Sequence, residues 1–324
     1  TLYYLRRYVR CLRELLASNS QPFGLSSEVS EWLRDTASAL ADARPLLDAN
    51  TISDTERYSL LIELGEPASR YRERIYKQES FSGTVTQDPA LLITLLDDTL
   101  AAIDHSIGSN KRDDGLYHAY NILHLREDAL SFETLYPMLE GQVAALSAGA
   151  IGPEEAVAIV EALFESDVYR LDQHSFMLYP DRKLPRFLEK NQVAENQVKT
   201  VALLEKMLTK GDQRIITQDP NGVYRFNGEF ANVGDLDAAL DALTPEYGGD
   251  VEAAREPVKQ LYEQVFNHSE FTGRSGGMFG FEGLGCIYWH MVSKLLLALQ
   301  ENFFSALDQG CDAAVLQRLG ELYY

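Results

Sequence analysis

Cysteine, basic charge and long hydrophobic runs are all scarce in this sequence of 324 residues, and each shortage removes a class of function. The three cysteines, Cys11, Cys286 and Cys311, are odd in number and unevenly spaced, so neither a disulfide framework nor a zinc site is expected. Two of them fall in apolar helical contexts, as reduced core thiols do, and that usage fits a reducing cytoplasm. Lysine and arginine total 29 against 49 aspartates and glutamates, a formal charge of −20 that opposes any extended contact with nucleic acid or an anionic membrane. No run of about 18 uncharged apolar residues occurs, so no membrane-spanning helix is expected. The six histidines show no i, i+4 pair with a nearby acid, and Asp97–Asp98 lacks the third helically spaced acid of a diphosphate-binding motif. Neither a G-x-S-x-G elbow nor a P-loop appears, which sets aside metal, serine-nucleophile and P-loop chemistry. Without a short repeat of fixed period, a regular solenoid is disfavoured as well.

What is present is a globular composition, 45% apolar, read as one domain over 1–324. The opening Leu2 to Arg10 mixes arginines into its apolar face, unlike a signal peptide. Both ends fall inside helix-like patterns, so a longer parent polypeptide is expected. Helical periodicity runs through Leu2 to Ala17, Val29 to Arg44, Ser53 to Lys77, Pro89 to Ile107, Leu130 to Ala148, Pro153 to Ser166, Val193 to Lys210, Val233 to Leu243, Val251 to Asn267, Cys286 to Ala306 and Ala313 to Tyr323. Asp88-Pro89 supplies an N-cap followed by proline at the first helical position, and Gly152-Pro153-Glu154-Glu155 places proline and acids in a first turn. Strand signals are sparse: Arg214 to Gln218 and Val223 to Phe226 flank Asp219-Pro220-Asn221-Gly222 as a small hairpin. The expected class is all-α with a minor β-hairpin, and its loops near 108–128, 168–192 and 268–285 are rich in potential ligand groups.

The densest functional signal is Gly273 to Gly285, where six glycines in thirteen residues let a backbone approach a ligand closely. Arg274, Ser275 and Glu282 add polar groups, and the interleaved Met278, Phe279 and Phe281 are foreign to a flexible linker. Arg274 either binds an anion through its forked donors or pairs with Glu282.

In order along the chain, Asp114-Gly115-Leu116-Tyr117, Gln142-Val143-Ala144-Ala145-Leu146-Ser147-Ala148-Gly149, Pro153-Glu154-Glu155-Ala156 and Arg274-Ser275-Gly276-Gly277 resemble motifs of the cellobiose-phosphorylase-like family. That resemblance implies an (α/α)6-barrel-like helical toroid and inverting phosphorolysis of β-linked gluco-oligosaccharides, or the related hydrolysis. Inorganic phosphate would be the co-substrate, with no cofactor and no metal. It further implies a phosphate site of Arg274, Ser275, Gly276 and His290. Gly277 departs from the hydroxyl residue of the family's loop, and the family's acid loop has no counterpart here, which implies a general acid upstream of Thr1.

In such a reaction one carboxylic acid protonates the glycosidic oxygen while phosphate attacks from the opposite face. Within the chain, Asp172 and Asp181 are the candidate catalytic acids, and Tyr117, His118, Asn121, Glu140, Gln142 and Arg182 the candidate substrate-binding groups. The segment Asp172 to Arg182 either lines a carbohydrate site or is a packed loop whose charges pair among themselves. Tyr117 to Asn121 lines a sugar subsite or caps the barrel. Glu140, in an apolar segment, contacts a ligand or is salt-bridged. An enzyme would bring 117–121, 172–182 and 274–282 together at one end of the barrel. The alternative is a non-catalytic helical carbohydrate-binding or interaction domain. The expected partners are an oligosaccharide and either the remainder of a larger polypeptide or a second copy, with neither nucleic acid nor membrane.

Overall fold

The computed structural model describes residues 1–19, 21–49, 51–78, 80–180, 185–272, 278–279 and 287–324. The described residues are mostly helical, with thirteen α-helices and small two-stranded antiparallel sheets. The chain divides into two compact units, Thr1–Asp181 with Gly285–Tyr324, and Arg182–Leu284.

The first unit opens with α1 (Leu2–Ala17), β1 (Phe23–Ser26), α2 (Ser27–Leu47), α3 (Asp54–Gln78), β2 (Thr84–Gln87) and α4 (Pro89–Ser109). The Asp88 carboxylate accepts the Ala90 N–H at 2.9 Å and Pro89 occupies the first turn, so α4 begins where the sequence signal places it. Next come β3 (Asn121–Leu125), β4 (Leu130–Thr134), α5 (Leu139–Ser147) and α6 (Pro153–Glu165), then the short β5 (Tyr169–Arg170) and β6 (Ser175–Phe176). The strand β4 corrects the helix expected from Leu130. Leu-Ser-Phe-Glu-Thr alternates with period two, and its partner Asn121–Leu125 pairs Leu123 with Phe132 and Leu125 with Leu130 across the hairpin.

The second unit holds α7 (Phe187–Lys190), α8 (Glu195–Thr200), α9 (Ala202–Thr209), β7 (Ile216–Gln218), β8 (Tyr224–Phe226), α10 (Val233–Tyr247), α11 (Gly249–Phe266), β9 (Phe271–Thr272) and β10 (Met278–Phe279). The hairpin anticipated around Pro220 is present as β7–β8. The single helix expected over Val193 to Lys210 is two, because Val201 is extended (φ −107°, ψ 99°) and interrupts the helical bonds. The antiparallel pair α10–α11 shares a core with α9 and the hairpin, built on Leu203, Leu204, Phe226, Leu240, Val258 and Tyr262. Buried Asn191 holds the hairpin from below: its amide donates to the Phe226 carbonyl at 2.8 Å and accepts the Phe226 N–H at 2.9 Å.

The chain then completes the first unit with α12 (Trp289–Asp308) and α13 (Ala313–Tyr323). The helix α12 packs against α5, α13 and α6, and α13 also lies against α6, while α1 packs on α5 and α4. At the centre is α5, apolar apart from Glu140, Gln142 and Ser147. Leu139 and Gly141 through Leu146 are all buried, which is the behaviour of a helix with no solvent face. Its Leu139, Val143 and Leu146 share a core with Ile159, Leu163 and Leu295, each fully buried side chain contributing roughly 1.5–3 kcal/mol. Among the described residues no helix is long and apolar enough to cross a membrane.

Candidate functional site

The N-terminal end of α5 gathers most of the polar and aromatic groups singled out in the first unit. The turn that delivers them is encoded by Asp114-Gly115-Leu116-Tyr117. The Asp114 carboxylate accepts the Leu116 N–H at 3.1 Å and binds the Arg112 guanidinium at 2.8–3.0 Å, while Gly115 takes a positive φ of 81° that a side chain would disfavour. Arg112 is the main reason the Asp114 carboxyl lies below the usual range. Leu116 and Tyr117 are thereby turned into the core.

Tyr117 is then fixed by Gln142, whose side chain is completely buried. The Gln142 Oε1 accepts the Tyr117 N–H at 2.8 Å, and its Nε2 donates to the carbonyls of Tyr117 at 2.7 Å and Met138 at 3.0 Å. Each polar atom of the amide is thus spent on main chain, which is a positioning role. The Tyr117 hydroxyl donates to Glu155 at 2.9 Å, and Lys111 binds the same carboxylate. Burial, followed by the bond to Glu155, raises the Tyr117 hydroxyl well above its ordinary range; the Lys111 bond lowers the Glu155 carboxyl.

His118 is half-buried, its backbone N–H donating to Asn110 and its carbonyl accepting from the Tyr3 hydroxyl. Its Nδ1 lies 3.2 Å from the Leu135 carbonyl. A carbonyl only accepts, so the proton sits on Nδ1 and the neutral ring keeps its lone pair on Nε2. Burial lowers this imidazole below its usual value, with Arg112 adding to the effect. Asn121 begins β3 and donates to Asn110 at 3.0 Å.

Beyond His118 the segment crosses α5 at Gly141. A Cβ on Gly141 would lie 2.9 Å from the Ala119 Cβ and 3.1 Å from its Cα, so only glycine admits this approach. The crossing sets Tyr120 beside Glu140, in the first turn of α5, where the positive end of the helix favours a carboxylate. The Tyr120 hydroxyl bonds Glu140 and is pushed up to about 12, by burial first and the carboxylate second. From the other side the Leu178 carbonyl accepts the Leu139 N–H at 3.1 Å, and the Tyr179 ring meets Tyr136 edge-on at 6.1 Å. The segments 117–121 and 178–179 therefore meet on α5. Tyr120, Tyr136, Tyr179 and Glu140 offer ring faces and a hydrogen-bond acceptor, the combination that suits a sugar. Tyr136 was not singled out by the sequence; the Tyr136-Pro137 step just before the helix cap is the signal that could have found it.

Asp172 lies in an exposed turn, held by Arg170 at 2.8 and 3.0 Å and by Gln173 at 3.3 Å. The Arg170 bond is the main reason its carboxyl is lowered to about 2. Such a group is ionised at neutral pH, the state of an ion-pair partner rather than of a proton donor. Because the folded value lies below the unfolded one, the pairing stabilises above the unfolded value of 3.8 and is lost as pH falls through about 2. A carboxyl-carbon NMR titration is expected to place the Asp172 midpoint near 2; a midpoint above 4 would return Asp172 to the role of acid.

His290 is exposed in the first turn of α12, 5.7 Å from the Tyr288 ring. Asp181, Arg182, Arg274, Ser275 and Gly276 lie outside the described residues. Among the described residues no group of three or more His, Cys, Asp or Glu side chains is placed to hold a metal ion.

Residues 184–269 match the family model described as GH149 phosphorylase insertion domain 2, a span of about a quarter of the chain. The similarity relates the chain to the glycoside phosphorylases, a class of carbohydrate-active enzyme, and supports at that level the resemblance read from the sequence. No curated protein matches the chain.

Proposed function

We propose that this chain is a section of an inverting glycoside phosphorylase related to the GH149 group and acting on β-linked gluco-oligosaccharides. In this reading the first unit is part of an (α/α)6 toroid and the second is a domain inserted into it in sequence. The observation that carries the reading is the agreement between the family match, 184–269, and a unit that separates by its own contacts, Arg182–Leu284. An inserted domain belongs to a host, and the described α5 head supplies groups the host's chemistry can use.

The reaction needs a sugar held with its glycosidic bond open to phosphate on one side and to an acid on the other. A phosphate oxygen bonds to the anomeric carbon, the bond to the glycosidic oxygen breaks with its electron pair, and the acid's proton goes to that oxygen. Tyr120 and Tyr179 offer ring faces, Glu140 accepts from sugar hydroxyls, and His118 and Asn121 flank them; Tyr117 and Gln142 fix the geometry from beneath. Arg182 is a further sugar contact. Arg274, Ser275, Gly276 and His290 are the groups for phosphate, arginine supplying a planar fork and a glycine loop its N–H groups. The proton donor is Asp181 or a carboxyl in the rest of the polypeptide.

Calorimetric titration of the chain with β-gluco-oligosaccharides and with phosphate tests the assignment. Tyr120→Ala is expected to weaken sugar binding by about tenfold, the order of one lost aromatic contact. Arg274→Ala is expected to abolish phosphate binding with the Tm nearly unchanged, and Arg274→Lys to recover part of it, because an ammonium keeps the charge and loses the fork. Sugar affinity indifferent to Tyr120→Ala, or no binding of either ligand, would favour a helical interaction domain instead.

A further inference from the structure

On the head of α5 the polar side chains are largely engaged with one another. Gln142 is bonded to main chain, Tyr117 gives its proton to Glu155, and Tyr120 is bonded to Glu140. His118 is held at three points: its N–H by the Asn110 carbonyl, its own carbonyl by the Tyr3 hydroxyl, and its Nδ1 by the Leu135 carbonyl. Its Nε2 has no partner among the described residues. The backbone and the ring are therefore fixed, and the atom left open carries a lone pair. The ring also stands among the groups that suit a sugar, since Leu135 precedes Tyr136 and Tyr120 is two residues beyond His118.

An open lone pair only accepts, and that sorts ligands. A sugar hydroxyl brings a proton to it, whereas phosphate is held by donors and meets none at this atom. The distinction lasts while the ring is neutral. Facing the ring are Arg112 and Asp114 of the preceding turn, the Leu135 carbonyl, and Tyr3 of α1, whose hydroxyl burial pushes up to about 12 and so keeps neutral. Burial first and Arg112 second oppose an imidazolium, and together they outweigh the Leu135 carbonyl and Asp114, which favour one. The ring consequently titrates below its ordinary 6.5. A ligand seated on Nε2 covers the ring further and occupies its lone pair; both effects disfavour the charged form again.

On the reading of the α5 head as a sugar site, we propose that His118 is its hydroxyl-selecting residue, the Nε2 lone pair accepting the proton of one sugar hydroxyl. Calorimetric titration with a β-linked glucose trisaccharide, without phosphate, is expected to give a level affinity above pH 6.5 that falls below it, approaching tenfold per pH unit once the imidazole is charged. His118→Phe keeps a flat ring without the lone pair; it is expected to lower the affinity at pH 7 by about threefold to tenfold and to abolish that pH dependence. His118→Gln, whose Oε1 reaches about as far as Nε2 and does not titrate, should recover part of the affinity and also lack the fall. Nitrogen NMR of the imidazole needs no variant: at pH 7 Nε2 should be unprotonated, and its resonance should move with the trisaccharide and not with inorganic phosphate. A parent chain that binds no trisaccharide overturns the sugar-site reading and the role of His118 together. Binding that is lost in Tyr120→Ala yet level in pH and indifferent to His118→Phe overturns the role of His118 alone, as does a proton found on Nε2 in the complex.

Discussion

Replacing Gln142 by leucine is expected to cost about 3 kcal/mol of stability, the order set by two orphaned buried main-chain groups at roughly 1–3 kcal/mol each, less what a shape-filling apolar side chain returns. Leucine fits the volume and removes the amide. The Tyr117 N–H and carbonyl, now bonded at 2.8 and 2.7 Å, would be left without these partners in a site with no solvent access. The Met138 carbonyl loses less, because it also accepts the Gly141 N–H at 3.2 Å. The loss should appear in urea unfolding as a lower midpoint at unchanged slope, since the surface exposed on unfolding stays the same. A change below about 1 kcal/mol would mean that Tyr117 is held by its hydroxyl bond to Glu155 and its buried ring instead. Sugar binding is the second readout: if Gln142 positions the segment that carries His118 and Tyr120, affinity falls in the variant even under conditions where it is fully folded.

The fold was legible wherever the signal is local. The face that repeats through α1, the proline after Asp88, the acids after Gly152 and the hairpin about Pro220 are instructions that a segment carries within itself, and the elements they specify are present. Where the outcome depends on a partner, the sequence misleads. Leu130–Thr134 is a strand because Asn121–Leu125 lies alongside it, and its five residues of alternation are too short a run to decide the matter without that partner. Val201 divides α8 from α9 by one extended residue, which no helical periodicity reveals.

The site divides along the same line. Glu140 and Gln142 stand out in sequence as polar residues in an apolar helix, yet what distinguishes them is which segment passes over α5. Gln142 meets main chain twenty-five positions earlier and Glu140 meets Tyr120, so two similar anomalies become a buried clamp and a surface acceptor. Asp172 shows the converse. Its acid character was visible, but its partner Arg170 is only two residues away and decides its protonation.

Gly141→Ala is expected to destabilise by about 1–3 kcal/mol, the range for forcing a methyl group into a packed site. In an ordinary helix interior the same change stabilises by about 1 kcal/mol, so the sign itself is the test. The added Cβ would meet the Ala119 Cβ at 2.9 Å, its Cα at 3.1 Å and its nitrogen at 3.2 Å, and two of those three atoms are backbone. That backbone cannot yield cheaply. Two residues before Ala119, Tyr117 is clamped by Gln142, and one residue before it His118 donates its N–H to the Asn110 carbonyl at 2.9 Å. The crossing must therefore open, moving Tyr120 off Glu140 and weakening sugar binding together with stability. Gly320 in α13 is the matched control: a Cβ there meets nothing within 4 Å, and Gly320→Ala should be neutral or stabilising by up to about 1 kcal/mol. Should both alanines raise stability alike, the approach of residues 117–120 to α5 is looser than the geometry requires, and glycine at 141 has no part in setting Tyr120 against Glu140.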